Sequence, residues 1–267
     1  INFEVPILWK NIDDVLPAEE SFDLAVKRLR IFEKSLMRTN SYDDAKNEIT
    51  NLLAKGYASE IPRDTIRSGS TKEFYIPLFI IEGKRKRLIW DVAAKVNGKS
   101  LNEYVLGGRN LYVKLYKLLV NMRENQILVK GDIAEMFHQI RIIPEDRPAL
   151  RFLFTETPFG EIHIYQSNVL IFGLMSSPYC SQYVKNLIAS LHEQKYPQAA
   201  NIIKNFIYVD DYIKTYKNLR DAQNYTYEVR EILKRAGFDL VKLNSNKKEA
   251  LKIVKENASQ KDLQNPK

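Results

Sequence analysis

The stretch Phe206-Ile-Tyr-Val-Asp-Asp-Tyr-Ile213, FIYVDDYI, sets two adjacent carboxylates into an apolar run. In an extended strand successive side chains point to opposite faces, so one of Asp210 and Asp211 would face the core. A buried carboxylate is costly unless it is paired or holds a metal. Either the run breaks into a turn at Asp210-Asp211 or something cationic sits there, and both can hold at once. The flanks Lys204–Tyr208 and Ile213–Tyr216 read as paired strands. They predict a hairpin with the aspartates at its tip and Phe206, Tyr208 and Ile213 anchoring the strands below.

Outward from this hairpin the chain alternates helical and strand patterns. Phe22, Ala25, Val26, Leu29, Phe32 and Leu36 fall at helical spacing, with Ser21 as the expected N-cap. A second helix is expected from Ser41 to Lys55, with Ser41 and Asp44 at capping-box spacing and Gly56 as its stop. Glu73–Ile81 and Lys86–Val92 read as strands joined by Glu82-Gly83-Lys84. Leu111, Leu115, Leu118 and Leu119 mark a helix ending near Arg123, and Ile127–Asp132 is an apolar strand that ends on a carboxylate. Leu150–Thr155 and Glu161–Gln166 form a hairpin around Pro158-Phe159-Gly160. Ser176–Gln194 is helical in pattern, Asn218–Ala236 is a helix closed by Gly237, and Phe238–Leu243 is a last strand. From Asn246 onward the polar composition is that of a linker or frayed end.

The chain of 267 residues is long enough for one large domain or two coupled subdomains. Its 45% hydrophobic and 28% charged residues exclude a disordered composition. Lys plus Arg number 41 against 33 Asp plus Glu, a net charge of +8 that favours nucleic acid or an acidic surface as partner. The single cysteine, Cys180, excludes an internal disulfide and a cysteine-based zinc site, and reads as a small buried thiol on a helix. His138, His163 and His192 show no metal-ligand spacing. No apolar run reaches transmembrane length, and the start at Ile1 without a charged-then-apolar leader is expected of a piece of a longer intracellular chain.

Asp132, Asp210 and Asp211 would thus meet at neighbouring strand ends, where three carboxylates repel unless divalent cations neutralise them. Magnesium suits them, since it prefers oxygen ligands and leaves positions open for substrate phosphates. Two such ions, about 3.5–4 Å apart, can activate a 3′-hydroxyl and stabilise a leaving pyrophosphate. An Asp-Asp pair also has a bland reading, a polar hairpin turn, and the pair alone does not separate the two.

The surrounding sequence adds a resemblance. Tyr208-Val209-Asp210-Asp211 matches the tyrosine–x–aspartate–aspartate signature of reverse transcriptases. VKGDIAEMFHQIRIIPEDRPALRFLF, Val129 to Phe154, resembles the motif around their first catalytic aspartate, and FGLMSSPYCSQ, Phe172 to Gln182, their glycine-bearing motif before the palm helix. RLIWDVAAKVNGKSLNEYVLGG, Arg87 to Gly108, is similar to a segment peculiar to the BEL/Pao class of long-terminal-repeat retrotransposons. The four motifs stand in the family's order, and the resemblance spans about Trp9 to Asn246.

The resemblance implies roles residue by residue. Asp132 and Asp210 would be the metal ligands with Asp211 in support, and the Ile133 carbonyl would join the metal shell. Phe137 falls at the steric gate that rejects a ribose 2′-hydroxyl. Backbone amides around Glu135 and Met136 would cradle the triphosphate, as turn amides do for anions. Arg87 matches the fingers arginine that clamps the triphosphate, with Lys84 as companion. Gly173 matches a glycine that lets the backbone approach the incoming base pair. Phe172 stands where retroviral enzymes have glutamine, so packing replaces a hydrogen bond to the nucleotide. Leu243 replaces a tryptophan common in the class, and Met175 a polar residue. Lys242 takes the place of a lysine that assists pyrophosphate departure.

The implied fold is α+β, a right-hand polymerase with an antiparallel palm sheet backed by helices. Residues 1–106 and 140–175 would form the fingers and 107–139 and 176–246 the palm, with 247–267 a polar C-terminal segment leading toward a thumb. Thumb, connection and ribonuclease H regions are expected in the parent chain. The implied activity is RNA- and DNA-templated DNA synthesis from deoxynucleoside triphosphates on a primed template, with two Mg²⁺ ions or Mn²⁺ in substitution. The expected place is the cytoplasm, in the virus-like particle of a retrotransposon, with no membrane partner. One rival is a domesticated, non-catalytic module that binds nucleic acid or protein; the intact aspartates count against it. The other is an RNA-dependent RNA polymerase, which places a smaller or polar residue where Phe137 sits.

Overall fold

The computed structural model describes residues 3–62, 71–81 and 87–256. They divide into two compact units, one holding Glu4–Gly108 and Ile140–Ser177, the other Arg109–Gln139 and the chain from Pro178 onward. The architecture is α+β with antiparallel sheets.

In the first unit, helices Ala18–Arg38 and Tyr42–Ala54 pack beside a three-stranded antiparallel sheet of Ala58–Glu60, Ile162–Ser167 and Arg151–Thr155. Leu29, Phe32, Leu36, Ala45 and Ile49 supply the buried helix faces that the spacing predicts. The first helix starts earlier than expected, with Pro17 rather than Ser21 at its N-cap. Ser21 is inside the helix, where its hydroxyl donates to the Ala18 carbonyl and accepts the Tyr75 N–H. Gly56 stops the second helix at φ +70°, a conformation glycine adopts without strain.

Leu78–Ile81 and Arg87–Trp90 pair as an antiparallel hairpin whose connecting residues, Glu82-Gly83-Lys84 among them, lie outside the described residues. The strands are shorter than the sequence predicts. Pro77 has no N–H for a ladder, and the residues before it bond elsewhere: Phe74 N–H to Pro148 O and Ile76 N–H to Arg151 O. Buried charges on Glu33, Arg151 and Glu73 tie parts of this unit together. Glu33 Oε1 accepts from Thr155 Oγ1 and from the Phe159 N–H, tying the helix to the 155–162 hairpin, while Arg30 takes Oε2. Arg151 meets Glu73 at 2.6 Å, and the Tyr75 hydroxyl donates to the same carboxylate oxygen.

The second unit is built on a four-stranded antiparallel sheet in the order Ile207–Tyr208, Asp211–Tyr216, Ile127–Ile133, Leu240–Ser245. Helix Leu219–Lys234 packs on three of its strands through Ala222, Thr226, Val229 and Leu233. Asn218 caps that helix by accepting the Asp221 N–H. Tyr212 and Tyr216 point to the helix side, where the Tyr212 hydroxyl reaches Tyr216 and Thr226.

Three expectations change here. Lys204 and Asn205 end a helix, Pro197–Asn205, rather than opening a strand; Pro197 at its first turn needs no N–H partner and starts it. The helix expected from Leu111 begins at Leu115 and ends at Asn121. Beyond Asn246 the chain is not frayed at once: Lys248–Leu251 and Lys252–Glu256 are helical, and Ala250, Leu251 and Val254 are buried against helix Leu219–Lys234.

Candidate active site

Strand Ile127–Ile133 runs through the middle of its sheet, buried at alternate residues, and delivers Asp132 at its end. The adjacent strand returns from the 207–216 hairpin, whose turn is Val209-Asp210, one residue earlier than the sequence suggests. Asp211 already belongs to the ladder, opposite Tyr208 on one side and Asp132 on the other. Asp210 stays in the turn, where its carbonyl accepts the Ile133 N–H at 2.8 Å. Carboxylate oxygens of Asp132, Asp210 and Asp211 consequently lie within 4.8 Å of one another. The tip is thus a turn and an ionic cluster together.

Asp211 is exposed, and Asp132 and Asp210 are partly buried. Burial pushes the Asp210 carboxyl above the usual carboxylate range, and the charges of Asp132 and Asp211 add to this; a backbone hydrogen bond and Lys242 pull the other way. Lys242 Nζ pairs with Asp132 Oδ2 at 2.5 Å. It reaches there because the ladder between Leu240–Ser245 and Ile127–Ile133 is irregular between Val241 and Asn244, and Lys242 takes φ +52° in that bulge. Gly131 permits the close approach of this strand, since a Cβ there would stand 2.9 Å from Leu243 Cδ2. Leu243 fills the space above that glycine.

Past Asp132 the chain leaves the sheet through Glu135 at φ +47° and enters the single turn Met136–Gln139. The Ala134 N–H donates to Asp239 O. Met136 is the residue that enters the core, whereas Phe137 is only part-buried. Val209, a β-branched residue, holds φ +57° immediately before Asp210. Glu135, Val209 and Lys242 are three of the six non-glycine residues with positive φ among the described residues, and all three border the carboxylates. Such backbone costs roughly 1–3 kcal/mol per residue and persists where the surroundings over-determine it, commonly at functional sites.

Three oxygen-only side chains at this spacing suit hard divalent cations. Residues that folding brings together in this unit are Asp132, Ile133, Glu135, Met136, Phe137, Asp210, Asp211 and Lys242. The rest of the expected site belongs to the other unit. Arg87 there is exposed at the start of its strand, opposite Ile81. Gly173 takes φ +91°, with Val92 Cγ2 3.4 Å from where a Cβ would lie, and its carbonyl accepts from Asn102 Nδ2. Phe172 is about half exposed. Lys84 lies outside the described residues.

Residues 88–258 match the reverse transcriptase (RNA-dependent DNA polymerase) family. The chain belongs to that family. A solved structure with a like fold is the foamy viral protease-reverse transcriptase in complex with double-stranded DNA, with a TM-score of 0.52 and 18% identity. That match covers 71% of this chain and 28% of the foamy viral chain. No curated protein matches. Within this family the chain has both carboxylates of the Tyr208–Asp211 signature and Asp132 of the preceding motif, on a sheet of the fold expected from the sequence.

Two residues of this unit had no role assigned from sequence, Gln182 and Lys185. Both lie wholly inside, on the helix Ser177–Leu191. Their signal was available, since Gln182, Lys185 and Ala189 fall on one helical stripe with polar residues where apolar ones belong.

Proposed function

We infer that the protein is the fingers–palm part of a reverse transcriptase of a BEL/Pao-type element, extending a primer with deoxynucleotides on RNA or DNA. The observation that carries this is the cluster of Asp132, Asp210 and Asp211, with oxygens within 4.8 Å, inside a chain of this family. The unit bearing the cluster is read as palm and the unit bearing Arg87 as fingers, and the site of action as the element's cytoplasmic particle. Asp132 and Asp210, with the Ile133 carbonyl, would hold two Mg²⁺ ions, for which Mn²⁺ can substitute, and Asp211 supports them. Bound there, the ions would supply Lewis-acid activation of the primer 3′-hydroxyl and charge neutralisation at the phosphates.

The chain's own residues do the remainder. In the reaction the 3′-oxygen attacks the α-phosphorus and pyrophosphate leaves. Lys242, whose ammonium pairs with Asp132 at the cluster, would protonate the leaving group. The Phe137 ring lies under the incoming sugar and excludes a 2′-hydroxyl. The turn amides at Glu135 and Met136 would take the triphosphate, and Arg87, Lys84, Phe172 and Gly173 keep the nucleotide-binding roles that the family resemblance implies for them. The foamy viral relative holds double-stranded DNA; a primed template is the corresponding partner for this chain, and its net charge of +8 suits one.

A primer-extension assay with deoxy- and ribonucleotide sets, on RNA and DNA templates, tests this reading. Extension with deoxynucleotides, abolished by Asp210→Asn, is the expected result. Tight, salt-sensitive binding of the primed template without any extension would favour the non-catalytic module, and preferential ribonucleotide use the RNA polymerase.

A further inference from the structure

Val209 poses a physical problem that the catalytic reading leaves open. A β-branched residue in left-handed backbone is strained, yet its carbonyl and its neighbour Asp210 must be held in place. The holding group is on the helix Ser177–Leu191. Gln182 Nε2 donates to Val209 O at 2.9 Å. A carboxamide can present either its oxygen or its nitrogen to a carbonyl, and only the nitrogen bonds productively. What fixes its direction is Lys185, whose Nζ donates to Gln182 Oε1 at 2.7 Å and lies 3.4 Å from Ile207 O. An ammonium has donors only, so it accepts no contact from the amide's NH₂ side.

Lys185 is fully buried, and among the described residues no carboxylate pairs with it. A buried, unpaired ammonium is costly, and an apolar residue of the same length would fill the space more cheaply. Its placement therefore has to be accounted for by what it touches, which is the carboxamide and one strand carbonyl. We propose that Lys185 is a positioning residue for the active site: it orients the Gln182 carboxamide, which in turn clamps the Val209 carbonyl and fixes the left-handed turn that presents Asp210. Lys185 and Gln182 thus grip the Ile207 and Val209 carbonyls, two points on the same side of the hairpin, from one helix. The consequence for ion binding rests on the reading of Asp210 as a metal ligand; the consequence for the turn does not.

The experiment compares the 267-residue wild type with Lys185→Met and Gln182→Glu. The first keeps length and packing without donors; the second keeps a partner for Lys185 but has no N–H for Val209. Hydrogen exchange across residues 207–213 should be roughly five- to tenfold faster in both variants, the factor expected from losing one net hydrogen bond of local stability. Lys185→Met should melt no lower than wild type. Unchanged exchange in that segment, or faster exchange spread evenly with a lower melting temperature, overturns the positioning role. Mn²⁺ titration of the same proteins, read by water proton relaxation, should show affinity reduced roughly tenfold in both variants, as loss of an outer supporting contact does. Unchanged Mn²⁺ affinity beside faster exchange overturns the link from the clamp to Asp210. A wild type that takes up no Mn²⁺ sinks the polymerase reading instead, and the exchange result then decides the role of Lys185 by itself.

Discussion

Asp132 and Asp211 stand directly opposite each other on neighbouring antiparallel strands. Cross-strand partners share a face, so two like charges are forced together by register, and the arrangement is destabilising by itself. Asp210 brings a third from the turn, and only Lys242 answers them among the pairs described. The cluster is kept at the fold's expense.

Asp210→Asn should abolish primer extension and leave the protein folded, with a melting temperature in metal-free buffer at or above that of wild type. The sign follows from the raised carboxyl of Asp210, which burial chiefly causes. A group whose folded pKa lies above its unfolded value costs stability once ionised, and the cost fades as pH falls through the carboxylate range. The stability gap between variant and wild type should therefore shrink on acidification, as thermal melts between neutral and acidic pH will show. A variant less stable than wild type at neutral pH contradicts this.

Lys242→Met separates two consequences of one contact. Removing the ammonium from Asp132 frees the cluster for cations, so Mn²⁺ should bind several-fold more tightly. On the proposed role of Lys242 as proton donor to pyrophosphate, extension should nonetheless slow. Tighter metal binding with undiminished single-turnover rates would remove Lys242 from the chemistry.

Phe137→Val tests the sugar gate. Since Met136 fills the core and Phe137 is part-buried, truncation should cost about 1 kcal/mol of stability, at the low end for a large-to-small change. Ribonucleotide incorporation should rise relative to deoxynucleotide; a tenfold change in the ratio is about 1.4 kcal/mol of differential transition-state binding. Single-nucleotide incorporation with matched sugars measures it. An unchanged ratio returns Phe137 to a packing role.

Lys185 has a signature in alkaline stability. Burial pulls its ammonium down to about 8, below the ordinary lysine value. Between pH 8 and the unfolded value the unfolded chain binds the extra proton, so this residue makes stability rise with pH there. Below pH 8 the burial cost is present in full. Lys185→Met should therefore be more stable than wild type at pH 7, with the advantage fading toward pH 10, as denaturant melts of both proteins will show. A constant difference across that range would mean that Lys185 is not buried as an ammonium.

Much of this was legible in the sequence because it rests on period. The apolar faces of the first two helices and the run Ile127–Asp132 announce themselves, and the motif order identified the family. The hairpin was placed correctly but its tip was not: the left-handed backbone of Val209 is disfavoured for that residue type, so local propensity argues for the turn one position later. The same is true of Lys242, whose bulge is set by cross-strand packing over Gly131 and not by its own neighbours. Glu33 and Arg151 were invisible as core residues, since charged side chains default to the surface and only tertiary partners reverse that.

The placement of Asp132 on the middle strand has a consequence for the chain as it leaves the ribosome. The strand Ile127–Ile133 emerges with none of its neighbours, both of which lie later in sequence, and Lys242 follows Asp132 by 110 positions. Pairings so distant in sequence close slowly, because their loop entropy is met before any contact rewards it. The other unit is likewise interrupted by residues 109–139 and is complete only once Ser177 is out. Vectorial synthesis thus withholds the carboxylate cluster until the hairpin that carries Asp210 and Asp211 has emerged and paired with Ile127–Ile133, so the nascent chain assembles it late.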